Sequence, residues 1–257
     1  MQKGMPYLDM KRIMLRVAYD GTNYCGWQLQ PNGITVEEVL NRNLKALLKE
    51  DINVIGASRT DSGVHALGNV AIFDTDTRIP GDKISYALNQ KLPGDIVIQE
   101  SREVPADFHP RRCNSIKTYR YTIQNSRFPL PTTRLYSYFV HYPLNELLMQ
   151  EAAAYLMGEH DFKSFCSANT HVKDTVRRIY DINVEKTDER IDIIVSGNGF
   201  LYNMVRIIAG TLVRVGLGAY PPIKVQEILN KKERSAAGPK APAEGLTLLK
   251  LEYPDLM

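Results

Sequence analysis

The chain predicts an α+β fold: two mixed α/β halves, each with a mainly antiparallel sheet and helices packed on it. Three observations point there. Segments of period two and segments of helical period interleave along the sequence, so strands and helices share each half. Two alternating runs, residues 178–184 and 190–195, flank the charged tip Thr187-Asp188-Glu189, a hairpin signal and therefore an antiparallel one. The 257 residues, 44% hydrophobic and 24% charged, suffice for one large core or two small ones.

Taken in order, Ile13, Leu15, Val17 and Tyr19 alternate with Met14, Arg16 and Ala18, which predicts a half-buried strand over 13–19. The turn-rich Asp20-Gly21-Thr22-Asn23 and Pro31-Asn32-Gly33 follow it. Val36, Val39, Leu40, Leu44, Leu47 and Leu48 then recur at helical spacing behind Thr35, a residue suited to N-capping. Strands are expected at 52–55 and 69–73 on either side of a polar loop, a second helix at 84–92 and a strand at 96–100. In the second half Tyr119, Tyr121 and Ile123 share one face of a strand over 118–123, and residues 144–157 read as an amphipathic helix ahead of the hairpin. Met204, Ile207, Ile208, Thr211, Leu212 and Val215 fall on one face of a further helix, which Gly216 to Pro222 ends. Residues 231–242, rich in Lys, Ala, Gly and Pro, read as a mobile loop before a last strand over 246–251. The break between halves falls between Val104 and Asn114, giving domains 1–106 and 107–257. A cleft between them is the natural place for an active site.

Composition narrows the function less than the motifs do. Residues 1–10 hold no sustained apolar stretch, so no signal peptide is expected. The most apolar window, 204–217, is interrupted by Arg206 and Arg214, far short of the roughly 20 apolar residues of a membrane span. A cytoplasmic protein without a membrane partner is the reading. Cys25, Cys113 and Cys166 fit neither a disulfide framework nor a zinc site. The net charge of +3 permits a polyanionic partner without demonstrating one. There is no HExxH, CxxC or GxSxG. Trp27 and Gln28 stand where a phosphate loop needs Lys and Ser or Thr, and Gly216-Leu217-Gly218 lacks the context of a dinucleotide fingerprint. His65, His109, His141, His160 and His171 do not cluster as ligands, so neither a metal nor a nucleotide cofactor is expected.

One loop concentrates reactive side chains. Ala57-Ser58-Arg59-Thr60-Asp61-Ser62-Gly63-Val64-His65-Ala66 places an arginine, an aspartate, small hydroxyls and a glycine between two expected strands. By pattern alone an ordinary β-turn with a modest ion pair is the favoured reading. However, SRTDSGVHA resembles, almost residue for residue, the GRTDxGVHA motif of the tRNA pseudouridine synthase A family, with Ser58 in place of the first glycine. The resemblance continues in Tyr19-Asp20-Gly21-Thr22-Asn23-Tyr24-Cys25-Gly26-Trp27-Gln28 and Lys117-Thr118-Tyr119-Arg120-Tyr121. Further along come Gly158-Glu159-His160-Asp161-Phe162-Lys163-Ser164-Phe165, Gly199-Phe200-Leu201-Tyr202-Asn203-Met204-Val205-Arg206 and Ala241-Pro242-Ala243-Glu244-Gly245-Leu246. These matches run in order over nearly the whole chain.

The resemblance implies a cofactor-free isomerase that makes pseudouridine in the anticodon stem-loop of tRNA, acting as a homodimer. It implies catalytic roles for Asp61 as nucleophile or base, Arg59 in displacing the target base from its stack, Tyr119 as a stacking platform and Arg206 as the cation paired with the carboxylate. Leu246 would wall the uracil pocket with Tyr119 and Arg59. By residue pattern alone Tyr119 reads rather as core packing, and snorkelling stays open for Arg206. Two basic groups, Arg111, Arg112, Lys117 and Arg120, and Lys231, Lys232, Arg234 and Lys240, suit RNA phosphates. The rival readings are an RNA-binding protein of the same fold without turnover, a relative modifying a different RNA, and a hydrolase or lyase pairing Asp61 with His65.

Overall fold

A computed structural model describes residues 10–167, 172 and 174–256. Residues 1–9 of the amino-terminal extension and His171 lie outside the described residues. The chain divides into two compact units: one runs to Ser62 and resumes over Ala66–Cys113, and the other takes Gly63–His65 and the chain from Asn114 onward.

In the first unit β1 (Lys11–Tyr19) lies between β3 (His65–Thr75) and β4 (Ile96–Val104), antiparallel to both, with the short β2 (Ile55–Gly56) on the far side of β3. Ile13, Leu15, Val17 and Tyr19 are buried as their alternation predicts and Arg16 is exposed, but Met14, expected on the open face with Arg16, is buried as well. Helix α1 (Val36–Leu48) opens on Thr35, whose hydroxyl accepts the Glu38 N–H at 3.3 Å, and closes on Lys49 at φ 63°. Two expectations need correction. Ile52 and Val54 are buried but not in a strand, because the Val54 N–H is taken by the Asn41 side chain at 2.8 Å. The second helix, α2 (Ile84–Asn89), follows a 3₁₀ turn at Gly81–Lys83 and stops short of Leu92: the Asn89 amide turns away to bond Ile98 N–H and C=O at 2.8 and 2.9 Å. Arg12 grips Asp74 with two bonds of 2.7 Å and the Phe108 carbonyl with a third of 2.9 Å, which keeps the chain beyond β4 on this unit.

The second unit is built on β5 (Ile116–Asn125), with β10 (Leu246–Glu252) on one side and β9 (Arg190–Gly197), β8 (Val176–Thr187) and β7 (Gly158–Asp161) on the other, all antiparallel. A three-residue strand, β6 (Tyr138–Val140), adds a parallel pairing, so the sheet is mixed. The β8–β9 hairpin turns at Asp188, held at φ 52°. Tyr121, Ile123, Ile191, Ile193, Val195 and Leu248 bury one face. Helix α3 (Glu146–Ala154), capped by Asn145, lies on β8 and against α4 (Met204–Gly216).

The helix α4 is buried around nearly its whole circumference, with Arg214 alone exposed, which is the pattern of a core helix and not of a one-faced surface helix. A helix the sequence reading missed, α5 (Lys224–Lys231), precedes the stretch expected to be a mobile loop; its signal was Val225, Ile228 and Leu229 at one-face spacing. That stretch is packed on α4. The Gly238 N–H donates to Thr211 Oγ1 at 3.0 Å, and Ala237 and Ala241 are buried. Gly210 is what allows it: any side chain there would collide with the Pro239 carbonyl. The architecture is therefore mixed α/β with helices on large sheets, as the residue patterns imply.

Candidate active site

The loop from Ala57 to Ser62 is seated on the turn that follows β1. The Trp27 N–H donates to the Thr60 carbonyl at 3.1 Å. Gly26 takes φ +83°, and a methyl group there would collide with the Thr60 carbonyl oxygen and stand 3.1 Å from the Asp61 carbonyl carbon. Only glycine fits that approach. The carbonyls of Gly26 and Trp27 accept the Val36 and Glu37 N–H groups at 3.2 and 3.0 Å, satisfying donors that the first turn of α1 leaves open. Trp27 is 2% exposed, and a side chain at Gly56 would drive into its indole. Ser62 Oγ donates to the Tyr24 carbonyl at 3.1 Å. Helix, turn and loop thus share one set of backbone contacts.

On this seat Asp61 is half-buried, Arg59 is exposed and Thr60 points inward. Gly63 follows at φ +78°, the conformation for which the motif needs a glycine. Ser58 does not have a positive φ, so a serine fits where the family motif has glycine. Ser58 is 3% exposed, and among the described residues its buried hydroxyl has no hydrogen-bond partner. His65 is buried, its Nε2 lies 2.9 Å from the Leu135 carbonyl and its ring centroid 5.1 Å from that of Tyr136. A carbonyl only accepts, so Nε2 carries the proton in this bond, which ties the imidazole to the chain at Leu135.

Tyr119, Arg206 and Leu246 all belong to the second unit. Tyr119 sits on β5 opposite Val195 and Leu248, with the Phe200 ring edge-on at 5.2 Å. Two residues on, on the same face, Tyr121 donates its hydroxyl to the Pro242 carbonyl at 2.9 Å, and burial, with Glu244's charge behind it, pushes that phenol far above its ordinary pKa. Gly245 packs close to the Tyr121 ring, where a Cβ would come within 2.7 Å of it. Leu246, buried, begins β10 opposite Tyr121.

Arg206 is 8% exposed and does not snorkel. Its Nε donates to the Ala241 carbonyl at 2.8 Å and its Nη1 to Asn203 Oδ1 at 3.1 Å, while the Ala241 N–H returns a bond to the Arg206 carbonyl at 3.1 Å. Asn203, at φ 61°, also donates to Ser167 Oγ at 2.8 Å, so the guanidinium is oriented by a fixed partner. The segment from Ala241 to Leu246 therefore joins Arg206, Tyr121 and Leu246 in one packed group. Tyr121, Asn203 and Gly245 belong to the quoted motifs, but nothing in their spacing marks these contacts.

The basic groups are less uniform than their sequence runs. Arg111 and Arg112 are exposed in the first unit, and Lys117 and Arg120 are half-buried in the second. Lys232 pairs with Asp161 at 3.1 Å and Arg234 with the Gly238 carbonyl at 2.9 Å, while Lys231 and Lys240 are exposed cations with no such bond among the described residues. Among the described residues no three His, Cys, Asp or Glu side chains gather as metal ligands, and no helix is long and apolar enough to cross a membrane.

A family model described as tRNA pseudouridine synthase matches residues 16–111 and 152–254. The chain is 52% identical over 245 residues to the tRNA pseudouridine synthase A of Ruminiclostridium cellulolyticum, covering 95% of this chain and 100% of that protein. It is 49% identical over 244 residues to proteins of the same name from Thermoanaerobacter sp. and Acetivibrio thermocellus, again over 95% of this chain and all of each relative.

Proposed function

The chain belongs to the tRNA pseudouridine synthase family, whose members named tRNA pseudouridine synthase A are isomerases, and on that premise we propose that Asp61 is the carboxylate with which it converts uridine to pseudouridine in the anticodon stem-loop of tRNA. The observation that carries this reading is the Asp61 loop, in which the motif SRTDSGVHA holds a half-buried carboxylate on backbone seated against Gly26 and Trp27.

The reaction breaks the N1–C1′ bond, turns the uracil and joins C5 to C1′. N1 gains a proton and C5 loses one, so the product is an isomer and no electron carrier or activated phosphate enters. What the protein must supply is a placed carboxylate and a base held out of its stack. Asp61 is that carboxylate. Arg59, exposed two residues before it, displaces the uridine from its stack. Tyr119 and Leu246 flank the uracil, and Arg206 contributes positive charge in support of the carboxylate, its guanidinium oriented by Asn203 and the Ala241 carbonyl. No cofactor takes part. The enzyme works in the cytoplasm as a homodimer, for which sedimentation at twice the chain mass is the expected result.

The test uses tRNA carrying tritium at uracil C5, incubated with the native protein and with Asp61→Asn. Joining C5 to C1′ expels that hydrogen, so the native protein releases tritium to water and the variant binds tRNA without release. Native, folded protein that releases none from any tRNA refutes the reading, and so does turnover by Asp61→Asn at the native rate.

A further inference from the structure

In β3 the run from Ala66 to Phe73 has one polar side chain, Asn69, and it is 0% exposed. Asparagine is a poor strand former, and a buried amide is costly unless all its groups are bonded. Here all are. Oδ1 accepts the Ser58 N–H at 3.3 Å and the Val70 N–H at 2.9 Å, and Nδ2 donates to the Ser58 carbonyl at 3.0 Å and to Tyr19 Oη at 3.4 Å. That uses both acceptor sites and both donors of the amide.

The arrangement explains where the Asp61 loop leaves the sheet. Ile55 and Gly56 pair with Ile72 and Ala71, and the Ala57 N–H still reaches the Val70 carbonyl at 2.7 Å. At the next step a backbone partner would be expected opposite Ser58; the Asn69 side chain stands there instead, bonding both the N–H and the C=O of Ser58 as a neighbouring strand would. The β1–β3 register slips at the same place: Val17 faces Asn69, but Tyr19 faces Ala66, an extra residue on β3. The slip brings Tyr19 beneath the loop, its hydroxyl 2.8 Å from Thr60 Oγ1. The Tyr19 hydroxyl thus accepts from the Asn69 amide and shares a second hydrogen bond with the Thr60 hydroxyl. The chain of bonds runs from Asn69 through Tyr19 to the residue before Asp61.

We propose that Asn69 and Tyr19 are positioning residues for the isomerisation: a buried amide and phenol that fix Ser58 and Thr60 and thereby set where the Asp61 carboxylate meets the sugar or base. The proposal rests on the reading of Asp61 as the reacting group. A network kept only for stability would be replaceable by apolar side chains at little loss. This one is aimed at the backbone of a reactive loop, where displacement of about 1 Å costs on the order of a hundredfold in rate.

The variants are Tyr19→Phe, which removes one hydroxyl and keeps the ring, Asn69→Ala, Thr60→Val, the Tyr19→Phe/Thr60→Val double variant and Asp61→Asn. For each, single-turnover tritium release at saturating tRNA is measured beside tRNA affinity and thermal unfolding, well below the unfolding temperature. Tyr19→Phe is expected to slow release about tenfold and Asn69→Ala about a hundredfold, with tRNA affinity within about twofold of native. Thr60→Val is expected to add nothing to Tyr19→Phe, since both remove the same bond. Native rates in folded Tyr19→Phe and Asn69→Ala, or weakened affinity at an unchanged rate, overturn the proposal. If Asn69→Ala does not fold, Tyr19→Phe and the double variant decide it. Turnover by Asp61→Asn removes the premise and the proposal together, whereas a dead Asp61→Asn beside a native-rate Tyr19→Phe removes the proposal alone.

Discussion

Replacing Gly26 with alanine tests whether the turn after β1 places the Asp61 loop. Two separate effects are expected. At φ +83° an alanine is held in the left-handed region at a cost of roughly 1–2 kcal/mol. Its methyl group also collides with the Thr60 carbonyl oxygen, and relieving the overlap breaks the 3.1 Å bond from the Trp27 N–H, worth about 1 kcal/mol. Together these predict a stability loss of about 2–3 kcal/mol, read from urea unfolding at constant m. The collision further requires the backbone next to Asp61 to move by about 1 Å, for which a roughly hundredfold drop in single-turnover rate is expected with tRNA affinity kept. Gly218 supplies the control, since it has φ +72° with nothing within 4 Å of a built Cβ. Gly218→Ala therefore suffers only the conformational cost, about 1–2 kcal/mol, with native turnover. If Gly26→Ala matches Gly218→Ala in both stability and rate, the turn does not seat the loop and the reasoning fails.

Tyr121→Phe leaves the Pro242 carbonyl without its donor, and a loss of about 1–2 kcal/mol is expected in denaturant unfolding; an unchanged midpoint shows that the bond to Pro242 contributes nothing. Ser58→Ala removes a buried hydroxyl with no partner while the backbone bonds from Asn69 stay, so stability rises by up to about 1 kcal/mol and turnover is kept; a clear loss of stability refutes the assignment of that hydroxyl as unpaired. Asp161 gives a pH signature. Burial works to raise its pKa, but the Thr175 hydroxyl, Lys232 and the Lys163 N–H outweigh it and hold the carboxyl below its ordinary value. A carboxylate depressed in the folded state stabilises at pH above its unfolded value, and that contribution is lost as pH falls through the folded one. The stability gap between native protein and Asp161→Asn is therefore full from neutrality down to the usual carboxylate range and closes as pH drops below it; a gap that stays constant below that range contradicts the assignment.

Elements governed by near neighbours were legible in the sequence. Thr35 and the buried stripe of α1, and the hairpin around Asp188, each express a few consecutive residues, and the structure reproduces them within a few positions. Elements governed by distant partners were not. Ile52 and Val54 alternate like a strand, yet the decisive bond comes from Asn41, thirteen residues before Val54. Residues 231–242 have the composition of a mobile loop, but their small side chains are what lets the backbone pack on α4 at Gly210. The same division runs through the site. Arg59 and Asp61 stand out locally because a short loop carries unusual chemistry. The residues that hold that loop, Tyr19, Gly26, Trp27 and Asn69, look like strand, turn and core, and only tertiary structure brings them beneath it. Asn69 alone left a trace: one amide in the otherwise apolar run from Ala66 to Phe73, where local preference argues against it and a bond to something outside the strand is the physical reason for its presence.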